Sequence, residues 1–309
     1  MRVLNLITDP TVPPFTQQVE SLAELGVEQT TVSVPGTRRT GDDGETTRSV
    51  VDYLRFYPPV LRASFGDYDV VHANYGLTAP AALCQLRLPV VVSLWGSDLM
   101  GQYGWLSQWC ARFADATIVM SPEMDDALAT DSHVIPHGVD LSLFEPMPKR
   151  QARETVGWAH DVTHVLFPYS TSRPVKDYPR AERVVGIVDD RLDRPVVLQS
   201  LDHVAHETVP TFMNAADAMI LTSRREGSPN TVKEAMACNL PIVSTDVGDV
   251  RERLDGVHPS HVGTSDADLV DGLLDVLERD VRSNGRAVVE PLGLESMARR
   301  IRTVYESVV

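Results

Sequence analysis

The sequence predicts an α/β fold built from two doubly wound, parallel-sheet domains in tandem. Three observations carry that reading. A length of 309 residues accommodates two domains of about 150 residues, each with its own core. Short β-branched runs alternate with amphipathic helical patterns along the whole chain, and strands that alternate with helices form a parallel sheet covered on both faces. The alternation breaks once, over the proline-bearing stretch 141–150, LSLFEPMPKR.

Before that break, strands are predicted at 3–8, 28–34, 69–73, 89–94, 116–120 and 132–135. The polar, glycine-rich segment 35–46, PGTRRTGDDGET, reads as a mobile loop. After the break the pattern restarts, with strands near 163–167, 195–199, 217–222 and 241–244 and helices near 177–190, 207–215, 229–238 and 266–279. The final stretch places Leu294, Met297, Ile301, Val304, Tyr305 and Val308 on one helical stripe, which must be buried on a neighbouring domain. The predicted domains are 1–145 and 146–290, with a C-terminal helix over 291–309 packing back on the first. Ligands of such sheets sit at the carboxyl ends of the strands, and a central cleft faced by both domains is the natural place.

Composition narrows the function. A net charge of −15 argues against nucleic acid, whose phosphates are bound by clustered lysine and arginine. Cys84, Cys110 and Cys238 lie far apart among apolar neighbours with no CxxC pair, a pattern that suits reduced, buried thiols in a cytoplasmic protein. The start, MRVLNLITDP, is too short an apolar stretch for a signal peptide, and no apolar run reaches the length of a membrane span. Lysine occurs only at 149, 176 and 233.

The most informative stretch runs from Glu226 to Gly248, EGSPNTVKEAMACNLPIVSTDVG. Glu226 lies on a loop at a strand's carboxyl end, Glu234 about one turn inside the next helix, and Gly-Ser-Pro between them opens that helix. Pro229 suits a helix start, since its missing N–H is one the first turn leaves unpaired. The N–H groups of Asn230, Thr231 and Val232 are then free to meet an anion at the helix N-terminus. A second loop, FPYSTSRPVKDY, carries Arg173 and Lys176. Two cations beside a helix N-terminus suit a diphosphate, at about 1.5–3 kcal/mol per charge-assisted bond. Nearby carboxylates accept from sugar hydroxyls, and the combination points to a nucleotide sugar. Singly, an arginine and a lysine three apart are more often a solvated pair, and Glu234 more often a helix-face acid in a salt bridge. Their coincidence in order and spacing carries the argument.

The segment TSRREGSPNTVKEAMACNLPIVSTDVGDVRE resembles the donor-binding signature of retaining glycosyltransferases of family 4, which have the two-domain GT-B fold. DVVHANYGL, VVSLWGSDL, ADATIVMSPEM and VIPHGVD resemble the same family in order and distance, so the resemblance covers nearly the whole chain. It implies two Rossmann-like domains, an N-terminal one for the acceptor and a C-terminal one for the donor. The implied activity is retaining, metal-independent transfer of a hexose from a nucleotide diphosphate sugar to a hydroxyl of a glycan or lipid-linked saccharide, with no cofactor beyond the donor. By the resemblance, Glu226 is the catalytic carboxylate beside the donor sugar and Glu234 binds the ribose. Arg173 and Lys176 hold the diphosphate, Gly227, Ser228, Asn230 and Thr231 contact phosphate and sugar, and Leu201 and Val204 lie near the base. A nucleotide-sugar epimerase, or a non-catalytic scaffold of the same fold, is the alternative.

The first domain departs from the family pattern. TDPTVPPFTQQ replaces a glycine-rich loop, so Thr16 or Gln17 is expected to contribute in place of backbone amides, and Trp95 stands where many relatives carry a histidine. The acceptor side is completed by Asn74, Asp98, which could equally cap the next helix, and His137, which could do no more than fix its turn. Asp67-Tyr-Asp69 and Asp266-Ala-Asp268 are read as turn and cap residues rather than metal-binding DxD motifs. Tyr103, Trp105 and Trp109, with Leu99, Met100 and Leu106, are read first as core and second as a weak, peripheral contact with the inner membrane face.

High negative charge with so little lysine is compatible with adaptation to high salt, where screening blunts self-repulsion. On that reading the melting temperature rises as potassium chloride is raised from millimolar to molar; a melting curve that does not move with salt removes it.

Overall fold

The computed structural model describes residues 1–36, 39–40, 46–202 and 204–309. It divides into two compact units, Met1–Gly138 with Leu294–Val309, and Val139–Gly293. The first division thus falls just before the proline-bearing stretch, and the C-terminal segment belongs to the first unit.

Unit 1 contains β1 (Arg2–Ile7), α1 (Pro13–Glu24), β2 (Glu28–Ser33), β3 (Arg39–Thr40), β4 (Thr46–Thr47), α2 (Val50–Ala63), β5 (Val70–Ala73), α3 (Ala79–Cys84), β6 (Val90–Leu94), α4 (Ser97–Met100), α5 (Gly104–Ala111), β7 (Ala116–Val119), α6 (Pro122–Asp126) and β8 (His133–Val134). Six strands form a sheet in the order β2-β1-β5-β6-β7-β8, every pair parallel. VVHA and VVVSL are buried at every position, as strands covered on both faces must be. The polar segment expected as a loop supplies β3 and β4, a two-stranded antiparallel pair, and its residues 37–38 and 41–45 lie outside the described residues.

Chain order fixes which helix covers which face. The step from β1 to β2 runs one way along the sheet and every later step the other, so right-handed crossovers put α1 on one face and α2, α3 and α5 on the opposite one. The C-terminal helix, Leu294–Val308, packs beside α1 and buries Met297, Ala298, Ile301, Val304 and Tyr305. Within unit 1 its Tyr305 hydroxyl meets Nδ1 of His72 at 2.6 Å, while Nε2 of His72 meets Ser93 Oγ at 2.7 Å. Burial pushes the His72 imidazole down to about 3, so it stays neutral.

Residues 8–12 form the loop after β1, and Pro13 opens α1, where an amide is dispensable. Two expectations are corrected here. Cys84 is exposed at the end of α3, unlike Cys110 and Cys238. Tyr103, Trp105 and Trp109 are exposed as well, because α5 points Gly104, Ser107 and Cys110 inward instead.

Unit 2 contains α7 (Lys149–Val156), β9 (Thr163–Phe167), α8 (Tyr178–Asp189), β10 (Val196–Ser200), α9 (Val209–Ala215), β11 (Ala218–Leu221), α10 (Asn230–Ala237), β12 (Ile242–Thr245), α11 (Val250–Arg253), β13 (His261–Gly263), α12 (Asp266–Arg279) and α13 (Gly285–Val289). Its five-stranded parallel sheet has the order β10-β9-β11-β12-β13. The order reverses between β9 and β11, so the loops leaving their carboxyl ends diverge and open a crevice between them. Ser265 caps α12 in a capping box with Asp268, while Asp266 binds Arg180 and Arg183. The second DxD is therefore one cap residue and one ion-pair residue. Asp67 and Asp69 of the first both bind Arg2.

The His72 contact makes a specific demand on the C-terminal helix. Tyr305→Phe keeps the packed ring but leaves a buried imidazole nitrogen without a partner, and is expected to destabilise the protein by about 1–3 kcal/mol in thermal or urea denaturation.

Candidate active site

The crevice of unit 2 is built from the loop after β9 and the loop after β11. Thr222, just beyond β11, donates its hydroxyl to the carbonyls of Lys176 and Asp177, each at 3.0 Å, and the Arg224 N–H bonds the Val175 carbonyl at 2.9 Å. The two loops are thereby stitched together. Asp177 takes a left-handed conformation at φ 52°, which turns the chain from Lys176 into α8.

This stitching places Lys176 against Glu226. The Lys176 ammonium is ion-paired with Glu226 Oε1 and lies 3.8 Å from the centroid of the Tyr169 ring. Ser223 Oγ donates to the same Oε1 at 2.6 Å. Oε1 is thus occupied, and Oε2 is the oxygen left for a ligand. Burial lowers the Lys176 pKa, with the Glu226 carboxylate working in the opposite direction. The Tyr169 hydroxyl meets Thr231 Oγ1 at 2.6 Å, tying the β9 loop to the start of α10, and burial holds that phenol in its neutral form. Arg173 is exposed, its guanidinium 5.6 Å from the Tyr169 ring centroid. The structure therefore brings Lys176, Glu226 and Thr231 together around Tyr169 and leaves Arg173 at the rim.

The helix start differs from expectation by one amide. Pro229 is the cap residue, and the Val232 N–H bonds its carbonyl at 3.1 Å, so Val232 does not offer a free donor. Ser228 Oγ and Asn230 Oδ1 are buried without a hydrogen-bond partner. Buried polar atoms are nearly always paired in folded proteins, so two orphans at a helix start mark groups waiting for a ligand. Gly227 is fixed from the other side: its carbonyl accepts the Asp249 N–H at 3.1 Å. A Cβ on Gly248, whose φ is +54°, would lie 2.1 Å from that carbonyl oxygen, so only glycine permits this approach.

Glu234 lies one turn further in. It is 9% exposed, and burial raises its carboxyl to about 7, with Lys233 pulling the other way. His206 Nε2 stands 3.9 Å from Glu234 Oε1 and is itself a buried atom without a hydrogen-bond partner. Lys233 is 1% exposed, its ammonium pushed down to about 8 by burial and supported by Asp249, which also bonds Arg253 at 2.7 Å. Leu201 is buried in the unit 2 core and Val204 packs against it, while residue 203 between them lies outside the described residues. Sequence reasoning missed Tyr169, Ser223, His206, Lys233 and Asp249. Tyr169 and Asp249 stand inside motifs already singled out, and the signal for Lys233 was the scarcity of lysine.

The residues expected on the acceptor side lie in unit 1. Asn74 is fully buried: its Nδ2 donates to Asn5 Oδ1 at 3.0 Å and its Oδ1 accepts from Gln18 Nε2 at 2.7 Å, so its capacity is spent inside the unit. Thr16 lies in the first turn of α1 and donates to the Pro13 carbonyl. Asp98 does not cap α4. Its carboxylate is 2% exposed and accepts the N–H groups of Gly76, Trp95 and Gly96 at 2.7, 2.8 and 2.9 Å, which shapes the strand-end loop from within. Trp95 meets His137 edge-on at 4.8 Å and Tyr75 at 6.2 Å, and its buried Nε1 has no hydrogen-bond partner. Among the described residues no three His, Cys, Asp or Glu side chains group as a metal-ion site would.

The raised Glu234 carboxyl has a stability consequence with a definite sign. The folded chain keeps a proton there that the unfolded chain loses in the ordinary carboxylate range. The group therefore supports the fold fully below about pH 4.5, and that support fades as pH rises through about 7, by roughly 3 kcal/mol. Glu234→Gln is expected to melt higher than the parent protein at pH 8 and to match it near pH 4.5, a difference that paired melting curves read directly.

Two family models match the chain, one described as Glycosyltransferase Family 4 over residues 15–143 and one as glycosyl transferases group 1 over residues 182–279. TuaC of Bacillus subtilis, named for a glycosyltransferase role in teichuronic acid biosynthesis, is 26% identical over 210 residues, which span 59% of this chain and 54% of TuaC. The chain thus aligns with about half the length of that relative. The MMP α-(1→4)-mannosyltransferase of Mycolicibacterium hassiacum is 24% identical over 307 residues, covering 81% of this chain and 73% of the relative. The crystal structure of Anabaena HepE in complex with UDP superimposes with a TM-score of 0.73 at 17% identity, over 99% of this chain and 100% of that one. On its two matched segments and its two parallel α/β units, the chain belongs to glycosyltransferase family 4 and has the GT-B fold.

Proposed function

We propose that the protein is a retaining, metal-independent hexosyltransferase that moves a hexose from a nucleotide diphosphate sugar to a hydroxyl of a glycan or lipid-linked saccharide. The observation that carries this reading is the set of unsatisfied polar atoms gathered at the start of α10. Ser228 Oγ and Asn230 Oδ1 are orphaned, and Glu226 keeps one oxygen uncommitted beside the Lys176 ammonium. Those groups match a diphosphate flanked by sugar hydroxyls. A mannosyltransferase among the relatives and a UDP complex among the similar folds support the same donor class.

In this mechanism the β-phosphate leaves toward Lys176, Arg173 and the N-terminus of α10, which stabilise the developing charge electrostatically. Glu226 Oε2 orients the donor sugar. The acceptor hydroxyl attacks from the face the nucleotide leaves, which retains the anomeric configuration, and its proton passes to the departing phosphate oxygen. Glu234 accepts from the ribose diol in its carboxylate form. Trp95 on unit 1 can donate a hydrogen bond to an acceptor but cannot take its proton, which is also the one observation favouring a non-catalytic binding subunit.

The test is a panel of UDP and GDP sugars assayed for hydrolysis and for transfer, together with UDP binding by calorimetry. Lys176→Ala is expected to weaken UDP binding by about 10- to 100-fold, the value of one charge-assisted contact. Glu226→Gln is expected to keep UDP binding and lose turnover. Turnover that survives both changes removes this site assignment, and nucleotide binding without turnover across a broad acceptor panel favours the binding subunit.

A further inference from the structure

The helical layer of unit 1 formed by α2, α3 and α5 has its polarity inverted. On α2 the inward positions are Asp52, Phe56 and Val60, yet the outward ones are again mostly apolar: Val50, Val51, Leu54 at 63% exposed, Pro58, Pro59 and Leu61, followed by Phe65 at 72%. Leu86, at the turn after α3, is 95% exposed, and α5 adds Trp105 at 66% with Trp109 and Phe113. Scattered exposed hydrophobics are ordinary, but a contiguous run is a binding surface.

These residues form one surface. All three helices cover the same face of the sheet, and α2 and α5 each pack against α3. The Arg87 guanidinium lies 5.1 Å above the Phe65 ring, joining the end of α2 to the turn after α3. The charge pattern is as selective as the apolar one. Arg55, Arg62, Arg87 and Arg112 are exposed among these side chains, while the outward positions of the three helices carry no carboxylate; the exposed Asp67, Asp69 and Asp115 lie just beyond the helix ends, the first two bonded to Arg2 and the third to the Val90 N–H. That is unusual in a chain of net charge −15. The acids of α6, Glu123, Asp125 and Asp126, stand on the next crossover and bound the patch on that side.

We propose that the α2–α3–α5 face of unit 1 docks in the plane of an anionic lipid bilayer surface. Leucine, phenylalanine and tryptophan side chains enter the headgroup boundary, where indole is at home with its ring in apolar surroundings and its N–H near water. The arginines meet lipid phosphates, keeping their stems along the apolar surface. A second copy of the chain fits less well, because a twofold contact of this face with itself sets arginine-bearing helices together whose outward positions carry no carboxylate, and the acids beyond their ends are already bonded to Arg2 and the Val90 N–H. No helix of the described residues is long and apolar enough to cross a membrane, so the contact is superficial. The inference stands on unit 1 alone and does not depend on the donor chemistry of unit 2.

The experiment is sedimentation of the full chain with vesicles of phosphatidylcholine alone and of phosphatidylcholine containing about one-third phosphatidylglycerol. The chain is expected to sediment with the anionic vesicles only, to be released by added salt, and to shift its tryptophan emission to the blue when bound. Trp105→Ser with Trp109→Ser, and separately Leu54→Ser with Phe65→Ser, are expected to cut binding at least about tenfold each. Each Arg→Gln change on the face is expected to cut it about fivefold. Circular dichroism and UDP binding, which reports on unit 2, should be unchanged in every variant. A chain that stays in the supernatant with anionic vesicles, or sediments equally with both compositions, overturns the proposal. So does a dimer in light scattering that the double tryptophan variant converts to monomer, which assigns the face to a second copy.

Discussion

Everything distinctive in unit 2 follows from charge taken out of water at the carboxyl ends of β9 and β11. Lys176, Glu226, Lys233, Glu234 and Asp249 are all buried or nearly so, and desolvating an ion costs several kcal/mol unless another charge compensates. The compensation is mutual: Lys176 answers Glu226, while Asp249 answers both Arg253 and Lys233. Because Lys176 and Glu226 sit on different loops, pairing their charges also fixes those loops. The Asp249 amide on the Gly227 carbonyl, the glycine-only contact at Gly248 and the Tyr169–Thr231 hydroxyl pair hold the start of α10 in one arrangement. Donors held in place before a charge develops are worth more than donors that must reorganise to meet it.

The scarcity of lysine becomes meaningful in that light. Arginine keeps its charge almost anywhere, while a buried ammonium is readily shifted by its surroundings. All three lysines lie in unit 2 and all are engaged: Lys149 with Asp217 and Asp280, Lys176 with Glu226, Lys233 in the cluster under α10. Two of the three occupy positions where burial lowers the pKa. The exposed basic residues are arginines, four of which gather on the helical face of unit 1.

The fold was legible because both signals that carry it are local. β-Branched runs such as VVVSL and THVLF are buried at every position, and the intervening helices keep their period. The helix start at Asn230 and the position of Glu234 were legible for the same reason, within one residue. What the sequence withheld depends on contacts across loops. Nothing in EGSPN says that the Val232 amide turns back to Pro229, or that Tyr169, from another strand's end, bonds Thr231. Nor does WGSD say that Asp98, besides taking the amides of Trp95 and Gly96 within the motif, takes that of Gly76 from another loop. The aromatic run after WGSD misled because apolar residues at helical spacing are usually core, and only the inward-facing Gly104, Ser107 and Cys110 show that α5 is mounted the other way round.

The two units differ in what they leave unsatisfied at their strand ends. In unit 1, Asn5, Gln18, Gln29 and Asn74 form a closed chain of side-chain hydrogen bonds, and Asp98 is saturated, so these polar groups hold the loops and have little left for a ligand. Among the described residues the orphans of unit 1 are Arg48 Nε, Thr130 Oγ1 and, just after β6, the Trp95 Nε1, a donor with no capacity to accept, set edge-on against His137. Among the described residues the orphans of unit 2 are Ser228 Oγ, Asn230 Oδ1, His206 Nε2, Asp249 Oδ1 and Arg282 Nη1, most of them set among titratable side chains. An acceptor hydroxyl reaching Trp95 can be oriented there but not deprotonated. Under the proposed transfer the proton must therefore go to the group that gains negative charge as the bond breaks, the departing phosphate. Unit 2 then has to stabilise that phosphate without quenching its basicity, a task for which a Lys176 ammonium already ion-paired with Glu226 is better matched than an unencumbered cation.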